Sequence, residues 1–248
     1  MTIQTNDIYK LGDHLLACGD SSNAELLQRL IGDKKISTVV CDPPYGVDVV
    51  ASKSAFSQQL SCNIGIANDH EQTDTEYEIF CSKWLSAIKP HLAPKNSIYI
   101  FNCDKMIFSL RNAMLKTGYK LSQLLVWIKS QPVLGRLDYL PQHELIAYGW
   151  HCRHYFRRSK DKSVLFSPKP SKSKLHPTMK PVGLIRNLIL NSTKIGEYVF
   201  DGFAGSGTTI IACEHTKRKC ITIELNLIHC STIIKRYESL TGNQAIKI

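Results

Sequence analysis

Tyr198-Val199-Phe200-Asp201-Gly202-Phe203-Ala204-Gly205-Ser206-Gly207-Thr208-Thr209 runs from three apolar, strand-forming residues into a glycine-rich turn and then into a helix-forming segment, Thr208–Lys217. Strand, glycine turn and helix in that order make a ligand-binding βα unit. Glycine lets the backbone turn tightly and come close to a bound group, and the first amides of the helix point into the same space. The next apolar run, Cys220–Ile223, ends in Glu224, 23 residues after Asp201. A carboxylate there can accept both hydroxyls of a ribose, so the unit suits a nucleotide-like ligand. Other readings stay open on this stretch alone. Gly202 and Gly207 have P-loop spacing, but Thr208 stands where the lysine belongs; a dinucleotide site needs a third glycine where Ile210 stands; a structural turn needs no ligand.

On either side the chain alternates in the same way. Short apolar, β-branched or aromatic runs at Ile36–Cys41, Ser97–Phe101, Leu121–Ile128, Glu144–Tyr148, Tyr198–Phe200 and Cys220–Ile223 read as strands. Helical periodicity falls between them. Ser21 can cap a helix running to Ile31, which Gly32 ends. In Thr73–Leu92 the residues Tyr77, Phe80, Trp84, Ile88 and Leu92 recur at three- and four-residue steps, and Leu225–Leu240 is a further helical stretch. Strands alternating with helices predict an α/β fold with a mostly parallel, doubly wound sheet, whose ligands bind at the strand C-termini.

A second motif follows another of these strands. Asp42-Pro43-Pro44-Tyr45 comes directly after Ile36–Cys41. A proline turn that stops a strand explains the prolines, because proline fixes φ and donates no hydrogen bond. The residue types also suit a particular chemistry. An exocyclic amine of a nucleobase is a poor nucleophile because its lone pair is delocalised into the ring. Asp42 can accept one of its N–H groups and the carbonyl of Pro43 or Pro44 the other. Two acceptors favour a tetrahedral nitrogen and free the lone pair, so catalysis lies in positioning and electrostatics. Tyr45 can stack on a base turned out of its duplex.

The 248 residues carry 31 Lys and Arg against 21 Asp and Glu, a net charge of +10, and 43% hydrophobic residues. That size and core allow a single domain over 1–248. The charge favours a polyanionic partner. Arg153, Arg157, Arg158, Lys160, Lys162, Lys169, Lys172 and Lys174 crowd into 150–175 with Asp161 as the one acid, a basic segment for which DNA or RNA is the natural partner, and the candidate DNA-recognition segment if that partner is DNA. The polar loop 46–70 after the second motif is expected to be mobile and close to the target base. A polar N-terminus and the lack of a long apolar stretch argue for a cytoplasmic protein without membrane contact. The nine cysteines form no C-x-x-C pair and read as buried thiols. His143-Glu144 begins like a zinc-protease motif, but Ala147 occupies the second histidine position. His151, Cys152 and His154 lack a second cluster to complete a metal site, so no metal is expected. Trp127 reads equally as core or as a wall of the base pocket, and Lys129 and Lys180 as solvated.

Together, D-P-P-Y and D-x-F-x-G-S-G-T resemble the catalytic and cofactor motifs of the amino-methylating DNA methyltransferases. D-P-P-Y comes first in the chain, which is the circularly permuted, β-class order. Cys18-Gly19-Asp20-Ser21, Leu125–Lys129, Asp138–Glu144 and His176-Pro177-Thr178-Met179-Lys180-Pro181 resemble further blocks of bacterial and phage members. The resemblance implies a Rossmann-like S-adenosylmethionine-dependent methyltransferase fold with a small inserted recognition segment. It implies that Asp20, Lys180, Asp201, Phe203, Gly205, Ser206, Gly207, Thr208 and Glu224 hold S-adenosyl-L-methionine, and that Asp42, Pro43, Pro44 and Tyr45 are catalytic. Asp in D-P-P-Y goes mostly with N6 of adenine, and Ser mostly with N4 of cytosine. The expected partner is double-stranded DNA. A homodimer is allowed, and any restriction endonuclease lies in another chain. Cytosine-N4, RNA or protein-amide methylation are the alternatives, with a non-catalytic DNA-binding homologue beyond them.

Overall fold

The structure, a computed structural model, describes residues 2–47, 70–133, 137–157, 161–168 and 179–248. Its centre is β3, Ile36–Cys41, buried along its whole length. It pairs in parallel with β4, Leu92–Asn102, on one side and with β9, Tyr198–Asp201, on the other. Burial on both faces is why ISTVVC is continuously apolar or small rather than alternating.

From β9 the sheet continues in parallel to β10, Lys219–Glu224, and β2, His14–Cys18. The antiparallel β1, Ile8–Leu11, follows, and β11, Ile246–Lys247, pairs antiparallel with it at the edge. Beyond β4 the expectation of helix–strand alternation fails. β5, Tyr119–Ile128, and β6, His143–His151, have no helix between them among the described residues and pair antiparallel with each other. β6 also runs antiparallel to β4. A short β7, Arg153–His154, pairs with β4, and β8, Val164–Phe166, lies parallel to β5. The sheet is thus parallel across five central strands and mixed at both ends.

Helices cover both faces. One core packs the sheet against α1, Ala24–Ile31, α2, Asp74–Ile88, and α3, Ile107–Lys116. The other packs it against α4, Val182–Ser192, α5, Thr208–Thr216, and α6, Leu227–Thr241. Along β3 this divides the side chains by pleat: Val39 and Cys41 face the first core, Val40 the second.

Local chemistry sets the boundaries. Asn23 rather than the expected Ser21 caps α1, its carboxamide oxygen accepting from the Leu26 amide at 3.1 Å. Ser21 is buried and lies under Gly202, where a Cβ would come within 3.0 Å of it. Thr73 and Glu76 form a reciprocal capping box on α2. That helix stops at Ile88 because Pro90 enters a 3₁₀ turn, and Leu92 opens β4 instead of ending the helix. Asn226 caps α6, so it starts at Leu227 and not at Leu225. Of the eight described cysteines six are buried, whereas Cys103 is half-buried and Cys152 exposed. Among the described residues, no helix is long and apolar enough to cross a membrane.

The chain leaves β3 through α2 toward β4, and leaves β9 through α5 toward β10, in opposite directions along the sheet and on opposite faces. The C-terminal ends of β3 and β9 therefore open onto a crevice at the point where the strand order reverses, the usual ligand site of a doubly wound sheet.

Candidate active site

Strand pairing brings the two motifs side by side in this crevice, although 42–45 and 201–207 are remote in sequence. Val39 is level with Phe200, so Cys41 and Gly202 leave their strands together, and the Gly202 amide donates to the buried Cys41 Sγ at 3.2 Å.

The glycine turn is held from within. Asp201, 5% exposed, accepts from the Phe203 amide at 3.0 Å and from the Thr209 hydroxyl at 2.5 Å. Burial, and then the Asp42 and Glu224 carboxylates, push its pKa up to about 7 against those two hydrogen bonds. Glu224, buried at the end of β10, accepts from the Gly205 amide at 2.7 Å and from the Asn226 amide at 2.9 Å. Gly205 and Gly207 take positive φ of 53° and 79°. A Cβ on Gly207 would also come within 3.1 Å of Ile233 on α6, so this glycine serves backbone conformation and helix packing together. The Phe203 ring packs edge-on against Trp84, centroids 5.5 Å apart, and against Phe80. Ser206 and Thr208 are buried, and their hydroxyls each lie 3.4 Å from the Arg236 guanidinium of α6, which also donates to the Ser206 carbonyl at 2.9 Å. Arg236 had no signal in the sequence. Asp20 is exposed just past β2, its carboxylate accepting from the Ser22 amide and hydroxyl.

The second motif sits in a buried array of charge. Asp42 Oδ2 accepts from Lys180 Nζ at 2.5 Å, and its Oδ1 accepts from the Tyr45 hydroxyl at 2.8 Å. Lys180 also reaches Glu144 Oε2 at 3.1 Å, and Glu144 Oε1 reaches Lys129 Nζ at 2.9 Å. The Tyr45 hydroxyl lies 3.1 Å from that same Glu144 Oε2. Lys180, expected to line the cofactor site, thus has its ammonium on the D-P-P-Y carboxylate. Lys129 and Lys180 are 6% and 7% exposed, which removes the solvated reading of both. Glu144 and Lys129 were missed as site residues. The signal was there: ionisable side chains at 129, directly after one run read as a strand, and at 144, opening the next.

Burial raises Glu144, but the ammoniums of Lys180 and Lys129 overcome it and hold its carboxyl at about 2. Burial also opposes the charge on Lys180, and Asp42 and Glu144 outweigh it, so its pKa lies above the ordinary lysine value. Asp42 has one ammonium and a second carboxylate nearby. Burial and Glu144 raise it above the usual carboxylate range in spite of Lys180. Burial, then Asp42 and Glu144, push the Tyr45 phenol well up, so it remains a donor. Asp42 is still open to the crevice, its side chain 28% exposed. Pro43 is buried and Pro44 half-buried beside it.

Trp127 is core: it is 1% exposed, packs edge-on against Phe101 and donates from Nε1 to the Ser167 carbonyl at 2.9 Å. Most of segment 46–70 lies outside the described residues. Its ends meet, because the Gly46 carbonyl accepts from the Gln72 amide at 2.9 Å next to Tyr45. The basic segment 150–175 lies only in part within the described residues. His151, Arg153 and His154 lie where β7 pairs with Lys95 and Asn96, at the end of β4 opposite Asp42. β8 then runs back, and Phe166 is level with Ile128. Arg158, Lys160, Lys169, Lys172 and Lys174 lie outside the described residues, as do His176 to Thr178.

The donor set decides what the crevice can hold. Asp42, Asp201 and Glu224 crowd at three adjacent strand ends, close enough for the first and last to raise Asp201. A phosphate would add negative charge to this cluster, which excludes the P-loop and dinucleotide readings. A cationic sulfonium with a ribose fits it: carboxylates offset the positive charge, and Glu224 and Asp20 retain lone pairs for hydroxyl or amine hydrogens. S-adenosylmethionine has that chemistry.

Comparison with known proteins agrees. The DNA methylase family profile, of N6 and N4 methyltransferases, matches residues 36–235. Type II methyltransferase M2.DpnII of Streptococcus pneumoniae is 25% identical over 225 residues, covering 83% of this chain and 84% of the relative. Type II methyltransferase M2.MboI of Moraxella bovis is 26% identical over 230 residues, covering 84% and 83%. The crystal structure of the M1.HpyAVI–SAM complex shares the fold with a TM-score of 0.65 at 22% identity, over 89% of this chain and 98% of that chain. The cytosine-N4-specific PvuII DNA methyltransferase shares it with a TM-score of 0.67 at 17% identity, over 92% and 93%. The chain belongs to the DNA methylase family and is an S-adenosylmethionine-dependent DNA methyltransferase of the N6/N4 type.

Proposed function

We propose that this methyltransferase acts on N6 of adenine in double-stranded DNA, at a short recognition site and on a base turned out of the helix. The observation that carries the reading is Asp42 at the C-terminal end of β3, fixed through Lys180 and Tyr45 and still open to the crevice beside the glycine turn. Asp42 accepts one N–H of the target amine and the Pro43 or Pro44 carbonyl the other, which holds the nitrogen tetrahedral. Tyr45 places its ring against the base. Bound S-adenosylmethionine supplies an electrophilic methyl on a sulfonium. Glu224 and Asp20 bind and orient its nucleoside, and the backbone of Phe203, Gly205 and Gly207 its methionine part. The preference for adenine rests on Asp at position 42; cytosine N4 has nearly the same amine chemistry and is the second reading.

Segments 46–70 and 150–175 are the regions proposed to read DNA. The first joins the fold at Gly46 and Gln72, next to Tyr45. The names of the relatives, Type II methyltransferases, support a role in restriction and modification, with the endonuclease in another chain and the enzyme in the cytoplasm. A homodimer is proposed from the β-class resemblance, with Ile79, Phe108 and Leu115 exposed on α2 and α3.

The test is incubation with unmethylated duplex DNA and methyl-labelled S-adenosylmethionine, followed by mass spectrometry of the nucleosides. Label in N6-methyladenine is expected. Label in N4-methylcytosine moves the assignment to the second reading, and label in neither refutes both.

A further inference from the structure

Two lysines and two carboxylates lie under the D-P-P-Y turn, in the order Lys129, Glu144, Lys180, Asp42, with contacts of 2.9, 3.1 and 2.5 Å. The methyl-transfer chemistry uses only the last. Burying ions is expensive, and well-packed apolar side chains of the same volume would stabilise such a site at least as well. The aromatic walls are already there: Lys180 Nζ lies 5.1 Å from the Phe101 ring centre and 6.0 Å from that of Trp127. An ionic array buried directly behind a reacting carboxylate points to function rather than packing.

The geometry says what Glu144 does. Both oxygens of Asp42 are engaged, Oδ2 by Lys180 and Oδ1 by the Tyr45 hydroxyl. A phenol has one hydrogen to give. That hydroxyl stands between Asp42 Oδ1 at 2.8 Å and Glu144 Oε2 at 3.1 Å, so it can turn from one to the other without moving its ring. We propose that Glu144, clamped by Lys129, is a positioning residue for methyl transfer: it holds Lys180 against Asp42 Oδ2 and takes over the Tyr45 hydroxyl when the target amine occupies Oδ1. The inference rests on the reading of Asp42 as the amine acceptor. Without Glu144, Lys180 has one anchor instead of two, and the Tyr45 hydroxyl stays on the oxygen the amine needs.

Glu144 also tunes ionisation at Asp42. Among the described residues, the charged and titratable groups around Asp42 are Lys180, Tyr45 on its own turn, Glu144 on β6, Lys129 just past β5, Cys41 at the end of β3 and Asp201 on β9. Of these, Glu144 is the carboxylate that most opposes ionisation of Asp42. Its removal lowers the Asp42 pKa, so the acid limb of the reaction moves to lower pH.

The test compares the full chain, Glu144→Gln and the charge-balanced double variant Glu144→Gln/Lys129→Met. The single-turnover methylation rate is measured from pH 5 to 9 on unmethylated duplex DNA, with equilibrium dissociation constants for S-adenosylmethionine and for the duplex. Expected in both variants is a rate about 10²-fold lower near neutral pH, binding within about threefold of the unsubstituted chain, and an acid limb displaced to lower pH. Rates within about threefold of the unsubstituted chain, or an acid limb that does not move in either variant, overturn the proposal. A rate loss that follows only the folded fraction assigns Glu144 a structural role and overturns it as well. If the single variant does not fold, the double variant decides, because removing both partners leaves no orphaned buried charge. Absence of methylation by the unsubstituted chain refutes the functional reading itself, and this inference with it.

Discussion

Asp201→Asn is expected to stabilise the cofactor-free protein, and to do so only once the pH has risen. Asp201 is 5% exposed and carries a carboxyl with a pKa near 7 against an ordinary 3.8. Below pH 3.8 it is protonated in both the folded and unfolded states and contributes nothing. Between 3.8 and 7 the unfolded chain ionises and the folded chain does not, so stability falls by about 1.4 kcal/mol per pH unit. Above 7 the loss is complete, at about 4 kcal/mol, since burial leaves little room for solvent screening. Asparagine has no titration here and keeps both contacts, its carbonyl accepting from Phe203 and its amide donating to Thr209. The gain of the variant over the parent should therefore grow by about 3 kcal/mol between pH 5 and pH 8. In melting temperature this is about 10 °C for a chain of this size. Urea and thermal unfolding at pH 5, 6, 7 and 8 without added cofactor read the difference. A gain that is the same at every pH, or a loss that deepens with pH, refutes the assignment of an unfavourable buried charge. The same variant should bind S-adenosylmethionine more weakly, because the charge that destabilises the empty fold is one that offsets the sulfonium.

Asp42→Ala should retain cofactor binding by calorimetry while losing about 10²- to 10³-fold in methylation rate; full activity would sink the mechanism. Glu224→Gln should weaken cofactor binding by about 10-fold, as one charge-assisted hydrogen bond to ribose becomes neutral, and unchanged affinity would remove Glu224 from the site. Lys180→Met leaves Asp42 and Glu144 facing each other without their shared ammonium. It should cost about 3–5 kcal/mol in urea unfolding, and a silent substitution would mean that the array is not ionised. Thr73→Ala breaks the α2 capping box and should cost about 1 kcal/mol with the methylation rate per folded molecule unchanged.

Much of this architecture was legible in the sequence, for local reasons. Runs such as Ile36–Cys41 and Lys219–Glu224 are strands because little else buries a β-branched stretch on two faces, and the glycine turn and D-P-P-Y each mark the end of such a run. What failed was longer-range. Helix–strand alternation suggested a mostly parallel sheet, and the five central strands are parallel; β5 and β6, with no helix among the described residues between them, pair antiparallel. Lys129 read as solvated and Glu144 as the start of a strand because the array joins the residue after β5, β6, the D-P-P-Y turn and the segment before α4; no spacing rule in one segment encodes a four-residue array drawn from remote places. Ser206 and Thr208 belonged to the glycine motif, but Arg236, which holds both hydroxyls, lies on another helix and left no trace in the motif. Within the described part of the basic run 150–175 the sequence shows adjacency and not direction: β7 lies beside Lys95 and Asn96, and β8 runs back until Phe166 is level with Ile128.

The pairing of β1 with β11 has a practical consequence. Tyr9 faces Lys247 and Lys10 faces Ile246 in adjacent strands, so the first and last elements of the chain already lie next to each other. A short linker could join them into a ring with little loss of loop entropy. The ring could then be reopened elsewhere, for example in the connection between β5 and β6, giving a protein in which the glycine turn is synthesised before D-P-P-Y. Since the two halves of the crevice are held together by the β3–β9 ladder and not by the connection between them, such a rearranged chain should form the same crevice. The order in which the two motifs are made is then a free variable of the fold, separable from the chemistry they perform together.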